Sequence, residues 1–222
     1  SAFPTLGRLP EGLKHRLEVV GNPVRPPIAA LAGKAYRAPG AADDIHLLVT
    51  GGSQGARILS DTVPRAVAAL PEALRRRLKV VQQARPEFLD SAAAIYAEAG
   101  IAAEVAPFFS DMATRLAEAH LAIGRAGAST CTELAVVGLP SVLVPLKIAT
   151  DDHQRHNARG LVETGGAVLI LEDDLTVEGL TATLSGILVE PGRLAAMAAG
   201  ARAAALPDAG ARLADLVEVS AG

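Results

Sequence analysis

The chain of 222 residues is long enough for one large domain with a sizeable hydrophobic core. Half of its residues are apolar and its formal net charge is −3, so the composition gives no support for a nucleic-acid-binding protein. The single cysteine, Cys131, excludes an internal disulfide and is typical of a protein of the reducing cytoplasm. No apolar run approaches the roughly 20 residues of a membrane-spanning helix, and the opening residues lack the apolar segment of a signal peptide.

The first 44 residues contain few periodic segments. The stretch LEVVGNP, residues 17–23, has the composition of a short strand. Residues 24–44 are rich in proline, alanine and glycine, which predicts a linker ahead of the first sheet strand. This opening has the character of an element that started earlier in a longer protein.

From Ile45 onward, short apolar runs alternate with segments of helical spacing. The predicted strands are IHLLV, LKVVQQ, AEVAPF, HLAIG, SVLVP and AVLIL. The predicted helices between them cover residues 56–70, 86–99, 111–119, 130–137 and 152–163. This alternation predicts an α/β fold with a Rossmann-like parallel sheet and helices on both faces. After Thr176, only alanine-rich helices are expected.

The loop TGGSQGAR, residues 50–57, joins a predicted strand to a predicted helix. Ligands of open parallel sheets bind beyond the carboxyl ends of the strands, so such loops are the first candidates for a site. Its glycines would let backbone N–H groups approach an anion, with Ser53, Gln54 and Gly55 at the tip of the loop. The loop lacks the G-x-G-x-x-G pattern and the P-loop lysine, and a plain tight turn is an equally good interpretation.

The stretch GRAGASTCTEL, residues 124–134, repeats this arrangement after the strand HLAIG. Ala128 leaves space, while Ser129 and Thr130 offer hydroxyls at the start of the next helix. The spacing Thr130-x-x-Glu133 matches a capping box, and on the motif alone this is the favoured interpretation. Alternatively, the Glu133 carboxylate could accept two hydrogen bonds from the vicinal diol of a ribose. Two helix N-termini at one sheet edge would then suit a diphosphate.

The stretch DDHQRHNARG, residues 151–160, is polar. His153 and His156 are spaced i,i+3, but no further ligand set accompanies them, so no metal site is predicted. Gln154 and Asn157 are suited to bind sugar hydroxyls. A solvated first helical turn is the alternative interpretation.

Five segments occur together in the order and spacing of one known family: VVGNPVR, LLVTGGSQGAR, PFFSDM, GRAGASTCTELAVVGLPSVLVP and DDHQRHNARGLVETGGAVLI. The chain resembles the MurG family of bacterial glycosyltransferases over nearly its whole length from about Glu18. That family has the GT-B architecture, in which two Rossmann-like halves enclose a cleft. The resemblance covers the C-terminal half, which binds the UDP-sugar donor, and the last strand of the N-terminal half.

The resemblance implies a division of the chain into four parts. Residues 1–25 would be the end of the N-terminal, acceptor-binding half, and residues 26–44 the linker between the halves. Residues 45–206 would form the donor-nucleotide-binding domain. Residues 207–222 would form a helix that packs back on the N-terminal half.

The resemblance also assigns binding roles around the nucleotide. Arg25 would contact the donor near the diphosphate, and Ser53, with Gln54 beside it, would bind the donor from the glycine loop. Phe109 stands where the family uses an aliphatic residue whose backbone pairs with uracil. The segment 128–133 would wrap the diphosphate and ribose.

Within that segment, the resemblance places Glu133 on the ribose hydroxyls and thereby reverses the capping-box interpretation. Gln154 would bind the hydroxyls of N-acetylglucosamine. Other members have a second glutamine where this chain has His153, so this part of the sugar contact departs from the family pattern.

By this resemblance, the whole enzyme transfers N-acetylglucosamine from UDP-N-acetylglucosamine to lipid I and forms lipid II, with inversion and without a cofactor or essential metal. It would work at the cytoplasmic face of the cell membrane, with lipid I and the membrane surface bound by the N-terminal half and with no nucleic-acid partner. No catalytic base is assigned to this chain, which by itself is expected to bind the donor weakly without transfer. Two alternatives are another GT-B UDP-sugar enzyme, such as an epimerase or glycolipid glycosyltransferase, and a non-catalytic UDP-sugar-binding subunit.

Overall fold

A computed structural model of the chain describes residues 1–3, 10–52, 55–147, 152–206 and 208–221. In this part of the chain, six parallel strands form one sheet in the order β3-β2-β1-β4-β5-β6, which is the strand order of a Rossmann fold. The strands are Ile45–Thr50 (β1), Leu78–Gln83 (β2), Ala102–Ala106 (β3), Leu121–Gly124 (β4), Ser141–Leu143 (β5) and Ala167–Leu169 (β6).

Helices connect the strands and complete the chain after β6. They are Pro26–Ala29 (α1), Arg57–Ala68 (α2), Glu72–Arg75 (α3), Leu89–Glu98 (α4), Met112–Glu118 (α5), Ala128–Val137 (α6), His153–Glu163 (α7), Val177–Val189 (α8), Arg193–Ala203 (α9) and Ala209–Ala221 (α10). None of the helices in the described ranges combines the length and apolar character needed to cross a bilayer.

These elements confirm the predicted α/β fold, including the switch to helices alone after Thr176. The strands end earlier than predicted where proline or the loop geometry intervenes. For example, β3 ends at Ala106, because the next residue, Pro107, has no N–H to donate to a ladder. The predicted helix 86–99 starts with a 3-10 turn, Pro86–Phe88, before α4 begins.

The prediction of a strand at residues 17–23 is wrong. This segment pairs with no strand in the described parts of the chain. The N–H groups of Val20 and Gly21 both donate to the carbonyl oxygen of Ser1, at 3.0 and 3.3 Å, which does not make a ladder. The predicted linker, in turn, contains the short helix α1, whose prolines occupy its first turn.

The sheet register brings three loops to one edge. Thr50 at the end of β1 is paired with Gly124 at the end of β4, and Gly124 is paired with Leu143 at the end of β5. The loops after these strands therefore start side by side at the carboxyl edge, where open parallel sheets bind ligands.

Apolar side chains cover both faces of the sheet, as expected for parallel strands flanked by helices. Along β1, Leu47 and Val49 pack with residues of α2, α8 and α9 on one face. Leu48, between them, packs with residues of α1, α5, α6 and α7 on the other. The helix α6, which carries most of the candidate site, is thus held by one of the two cores.

His46 and His120 form a pair at the amino end of β1 and β4, opposite the ligand-binding edge. The backbone N–H of His46 donates to Nδ1 of the His120 ring at 2.9 Å, so the Nδ1 atom of His120 must be unprotonated. Burial lowers the pKa of His120, and the neighbouring His46 lowers it further, while Asp43 opposes the shift. Between the lowered folded-state pKa and the unfolded value of 6.5, the unfolded chain binds more protons.

We therefore expect the free energy of unfolding to decrease as the pH falls below about 6.5, with a slope of at most ~1.4 kcal/mol per pH unit from this group. The variant His120→Asn should flatten this slope, because an amide oxygen can accept the same hydrogen bond without titrating. Urea unfolding at several pH values measures the slope, with the exposed His15→Asn as control. An unchanged slope in His120→Asn would assign the acid sensitivity to another group.

Candidate functional site

A cleft of about 400 Å³ opens at the carboxyl edge of the sheet. Its walls come from the segment before α1, the glycine loop after β1, the loop after β3 and the first turns of α6. Five predicted site residues line it: Arg25, Phe109, Ser129, Thr130 and Glu133. Arg25 and Glu133 are 108 positions apart in sequence, so only the fold brings this set together.

The glycine loop after β1 closes tightly on itself. A Cβ atom on Gly51 would lie 2.2 Å from the backbone nitrogen of Ala56, a distance that no side chain permits. The helix α2 begins at Arg57, and no described side chain caps its first N–H groups. Within the described residues these N–H groups have no side-chain acceptor, and N–H groups at a helix start suit an anion.

Gly55 belongs to the same loop and has a φ of +66°, which favours glycine. Its N–H donates to the carbonyl of Gly52 at 3.0 Å, and Gly52 lines the cleft. The predicted ligand residues Ser53 and Gln54 lie outside the described residues. Their role in binding therefore stays a prediction.

The helix α6 begins at Ala128, two residues before the predicted start. Gly127 is its N-cap residue, and the Cys131 N–H donates to the Gly127 carbonyl at 2.9 Å. Thr130 thus lies inside the first turn and cannot serve as N-cap, so the capping-box interpretation is wrong. The first N–H groups of any α-helix, here including that of Ser129, have no acceptor within the helix. No described N-cap side chain accepts from them in α6 either.

Glu133 reaches the cleft from the second turn of α6. One carboxylate oxygen accepts a hydrogen bond from Arg25 Nη2 at 3.2 Å, and the two side chains are 16 % and 62 % exposed, respectively. Burial raises the pKa of the Glu133 carboxyl, while the charge and hydrogen bond of Arg25 lower it and partly offset this shift. In this conformation, the Glu133 carboxylate and the Arg25 guanidinium form an ion pair with each other. The carboxylate is the group predicted to bind a diol, and the guanidinium the group predicted to bind a phosphate.

The side chain of Phe109 anchors the loop after β3. It is 7 % exposed, and the guanidinium carbon of Arg115 lies 4.0 Å from the centre of its ring. Arg115 is in turn held by Glu104 and Asp111, at 2.7 and 2.8 Å. The ring of Phe109 is thus packed against Arg115. The predicted contact of the Phe109 backbone with uracil stays a prediction.

A buried polar bridge supports the floor of the cleft, and the sequence analysis missed it. The carboxamide of Gln83, at the end of β2, accepts a hydrogen bond from Thr50 Oγ1 and donates one to the carbonyl of Pro107, both at 3.1 Å. This bridge ties the end of β1 to the loop that carries Phe109 and the exposed Phe108, which also lines the cleft. The signal was the pair of glutamines that ends an apolar strand.

Gln154 and Asn157 lie in the first turns of α7 and do not line the cleft. Gln154 Oε1 accepts a hydrogen bond from the Leu146 N–H at 3.0 Å, and Asn157 Nδ2 donates to the carbonyl of Ala126 at 3.1 Å. Both carboxamides therefore join α7 to the loops after β5 and β4. Their predicted sugar contacts stay a prediction.

Arg125, the residue after β4, was overlooked because surface exposure is the usual expectation for arginine. It is 9 % exposed, and its Nη1 lies 2.9 Å from Glu172 Oε2. Burial raises the pKa of Glu172, but hydrogen bonds from Arg125 and from the Lys147 N–H outweigh this effect, so the pKa is lowered overall. The Glu172 side chain is therefore held as a carboxylate next to Arg125.

A second cavity, of about 420 Å³, lies on another face of α6 and is lined in part by Cys131, Thr132 and Asn157. Cys131 is 2 % exposed, and burial raises the pKa of its thiol to about 12. Such a thiol is a poor nucleophile at neutral pH. Cys131 therefore packs as a small buried residue of α6.

Within the described ranges, no group of three or more histidine, cysteine, aspartate or glutamate side chains is arranged to hold a metal ion. His156 Nδ1 lies 3.1 Å from the backbone carbonyl of Asp152. The i,i+3 histidines of α7 thus have no cluster of metal ligands around them in this part of the chain.

A family model described as the glycosyltransferase family 28 C-terminal domain matches residues 46–213. The UDP-N-acetylglucosamine–N-acetylmuramyl-(pentapeptide) pyrophosphoryl-undecaprenol N-acetylglucosamine transferase of Caulobacter vibrioides (strain NA1000 / CB15N) is 58% identical over 220 residues. The protein of the same name from Phenylobacterium zucineum (strain HLK1) is 56% identical over 220 residues. Each match covers 99% of this chain and 60% of the relative, so the chain spans about 60% of the length of these proteins.

Among solved structures, the crystal structure of Acinetobacter baumannii MurG superposes with a TM-score of 0.74 at 34% sequence identity. The match covers 83% of this chain and 55% of the other. It confirms the predicted fold class, a Rossmann-like parallel sheet that corresponds to the C-terminal half of a GT-B glycosyltransferase.

Proposed function

Because the chain belongs to the family of glycosyltransferase family 28 C-terminal domains, we propose that it binds UDP-N-acetylglucosamine in the cleft beside α6. It would be the donor-binding part of an enzyme that transfers N-acetylglucosamine to lipid I and forms lipid II. The names of its relatives, which are 56–58% identical, support this donor and this reaction.

One observation carries the proposal: a single carboxylate faces a cleft that is lined by the uncapped first turn of α6 and by Gly52 of the glycine loop that precedes α2. Glu133 is the only acidic side chain that lines the described part of the cleft. Helices α2 and α6 both begin beyond glycine-containing loops, without a side-chain cap among the described residues. A nucleoside diphosphate matches this arrangement, because it combines a concentrated negative charge with a vicinal diol.

The helix N-termini would stabilise the diphosphate. Each N-terminus carries a partial positive charge and N–H groups without intrahelical acceptors. Arg25, which is 62 % exposed, can leave Glu133 and turn its guanidinium toward a phosphate. The Glu133 carboxylate would then accept hydrogen bonds from the ribose hydroxyls, as sequence resemblance assigns it to do.

The helix N-termini and Arg25 would promote sugar transfer by stabilising the leaving group, UDP. Sugar transfer places charge on the departing UDP, and preorganised N–H groups and a guanidinium stabilise such charge best when they are already in place. Deprotonation of the acceptor hydroxyl requires a general base. We assign no base to this chain and place that role in the acceptor half of the enzyme.

We further propose that lipid I and the membrane surface are bound by the part of the relatives that this chain does not cover. Helix α10 supports a contact with that part. Its side chains Leu213, Val217 and Val219 are 40 %, 59 % and 81 % exposed, and the first two lie one turn apart. We propose that this apolar face packs against the acceptor half, as the resemblance implies for residues 207–222.

Two other functions remain to be distinguished by experiment. A UDP-N-acetylglucosamine 2-epimerase of related fold needs acidic residues and a histidine around the sugar. Incubation with UDP-N-acetylglucosamine alone tests for this activity, because an epimerase would convert it without an acceptor. A non-catalytic donor-binding subunit would bind the same ligand, and only reconstitution with an acceptor half separates it from the transferase.

Isothermal calorimetry with UDP-N-acetylglucosamine, UDP-glucose and ADP tests the proposal. We expect UDP-N-acetylglucosamine to bind most tightly and ADP most weakly, because the base and the sugar are both recognised. The chain alone should give no product with lipid I. Equal affinities for all three nucleotides, or conversion of UDP-N-acetylglucosamine alone into an epimer, would contradict the proposal.

A further inference from the structure

We infer that Arg125 and Glu172 are positioning residues for the sugar end of the donor site. They fix the backbone of the loop after β5, which in turn orients the carboxamide of Gln154. The inference rests on the proposed function, since it assumes that Gln154 contacts N-acetylglucosamine. Glu172 lies outside the quoted motifs, and Arg125, although it belongs to GRAGASTCTEL, was given no role there; neither residue lines the cleft.

Arg125 clamps the loop after β5 from the neighbouring strand. Its Nη1 donates to the carbonyls of Val144 and Pro145, both at 3.2 Å, and to Glu172 Oε2 at 2.9 Å. Arg125 follows β4, whereas these carbonyls follow β5, so the guanidinium bridges two adjacent strand ends. A buried guanidinium with these acceptors holds its geometry firmly, because breaking any contact leaves a buried charge less well satisfied.

Glu172 holds the same loop from the other side. The oxygen that accepts from Arg125 also accepts the backbone N–H of Lys147 at 3.0 Å. Residues 144–147 are therefore fixed by three contacts with the side chains of Arg125 and Glu172. Loops at a ligand-binding edge normally move more than the sheet that carries them, and this pair restrains one of them.

The restrained loop determines which way Gln154 faces. The N–H of Leu146 lies in the middle of the clamped segment and donates to Gln154 Oε1 at 3.0 Å. With its oxygen engaged in this bond, the carboxamide has its NH₂ group left to donate, and no acceptor for it is recorded among the described residues. Gln154 is thereby set to donate hydrogen bonds to oxygen atoms of a sugar.

A second carboxamide closes the arrangement. Asn157, one turn further along α7, donates to the carbonyl of Ala126, the residue after Arg125. The loop after β4, the loop after β5 and the start of α7 are thus joined into one unit. Glu172 is the better residue of the pair to replace, because its side chain is 22 % exposed, against 10 % for Arg125, and lies outside the cleft.

The variant Glu172→Ala tests the inference in the full chain, with UDP and UDP-N-acetylglucosamine titrated separately. We expect affinity for UDP-N-acetylglucosamine to fall by about tenfold, the scale of one or two lost hydrogen bonds, while affinity for UDP changes by less than about twofold. Glu172→Asp keeps the charge but shortens its reach, so it should give a smaller loss in the same direction. If Glu172→Ala does not fold, the inference is tested with Glu172→Asp instead.

Asp173→Ala is the matched control. Asp173 is the next acidic residue and pairs with Lys147 Nζ at 2.6 Å, with both side chains more than half exposed. Its removal should leave both affinities unchanged, because it does not contact the clamped backbone in the described structure. A loss equal to that of Glu172→Ala would point to general electrostatics and overturn the inference.

A double-mutant cycle with Gln154→Ala shows whether Glu172 acts through Gln154. In the Gln154→Ala background, Glu172→Ala should cause no further loss of UDP-N-acetylglucosamine affinity. Additive losses, or an equal loss of UDP affinity, would overturn the inference. Failure of the wild-type chain to bind UDP at all would instead refute the proposed function on which the inference rests.

Discussion

Replacement of Glu133 by alanine should lower the affinity of the chain for UDP by about 1–3 kcal/mol, the scale of hydrogen bonds to a charged group. The Glu133 side chain is mostly buried in the cleft and makes no contact that maintains the start of α6, whose N-cap is Gly127. The thermal stability of the variant should therefore change little. Calorimetry and thermal unfolding measure the two quantities on the same protein.

The control for this variant is Glu98→Ala, which removes an exposed glutamate from α4, outside the cleft. It should retain the UDP affinity of the wild type. If Glu133→Ala lost stability but kept its UDP affinity, Glu133 would be a structural residue of α6, and the assignment of the ribose site would be wrong.

Replacement of Gly200 by alanine should lower the free energy of unfolding by roughly 3 kcal/mol or more, at the upper end of overpacking effects. Gly200 lies in α9, where its backbone touches the turn between α7 and β6. A Cβ atom would lie 2.3 Å from the carbonyl oxygen of Thr164 and 2.7 Å from the nitrogen of Gly166. Both are backbone atoms, so no side chain can rotate away to make room.

Gly186→Ala, in α8, is a matched control because it also adds a methyl group to a helical glycine. Apart from the neighbouring backbone of α8 itself, no described atom lies within 4 Å of the added Cβ, so this variant should gain about 0.5–1 kcal/mol of stability. Chemical denaturation of both variants gives the comparison. Equal effects of the two substitutions would show that α9 and the α7–β6 turn are not in close contact in solution.

The alternation of short apolar runs with helical segments was sufficient to predict the parallel sheet. Apolar strands such as IHLLV are buried on both faces, and this burial requires helices on both sides. The two glycine-containing loops could be placed at the ligand-binding edge for the same reason, because connections in such a sheet have a fixed direction. This much of the candidate site is a consequence of local pattern and fold class.

The start of α6 was predicted incorrectly because hydroxyl residues are the usual N-caps. Thr130 followed by Glu133 satisfies that local rule, yet the chain enters the helix already at Ala128, after Gly127. The strand β4 ends at Gly124, so only three residues separate it from the first residue of α6. Tertiary structure overrode the local preference here.

Long-range polar contacts were beyond the reach of sequence patterns. Nothing near Glu133 indicates that Arg25, 108 residues earlier, is its partner in the cleft. The buried bridge made by Gln83 and the burial of Arg125 were missed because both residue types are usually exposed. Motif resemblance pointed to Arg25 and Glu133 individually, and the fold supplied their contact.

The central claim is that uridine diphosphate occupies the cleft between Arg25 and the start of α6. A crystal structure of the chain with UDP bound tests it most directly. We predict the ribose hydroxyls within hydrogen-bonding distance of the Glu133 carboxylate, with Arg25 turned from Glu133 toward a phosphate. UDP lodged in the second cavity, beside Cys131 and Asn157, with the Arg25–Glu133 pair intact, would contradict the claim.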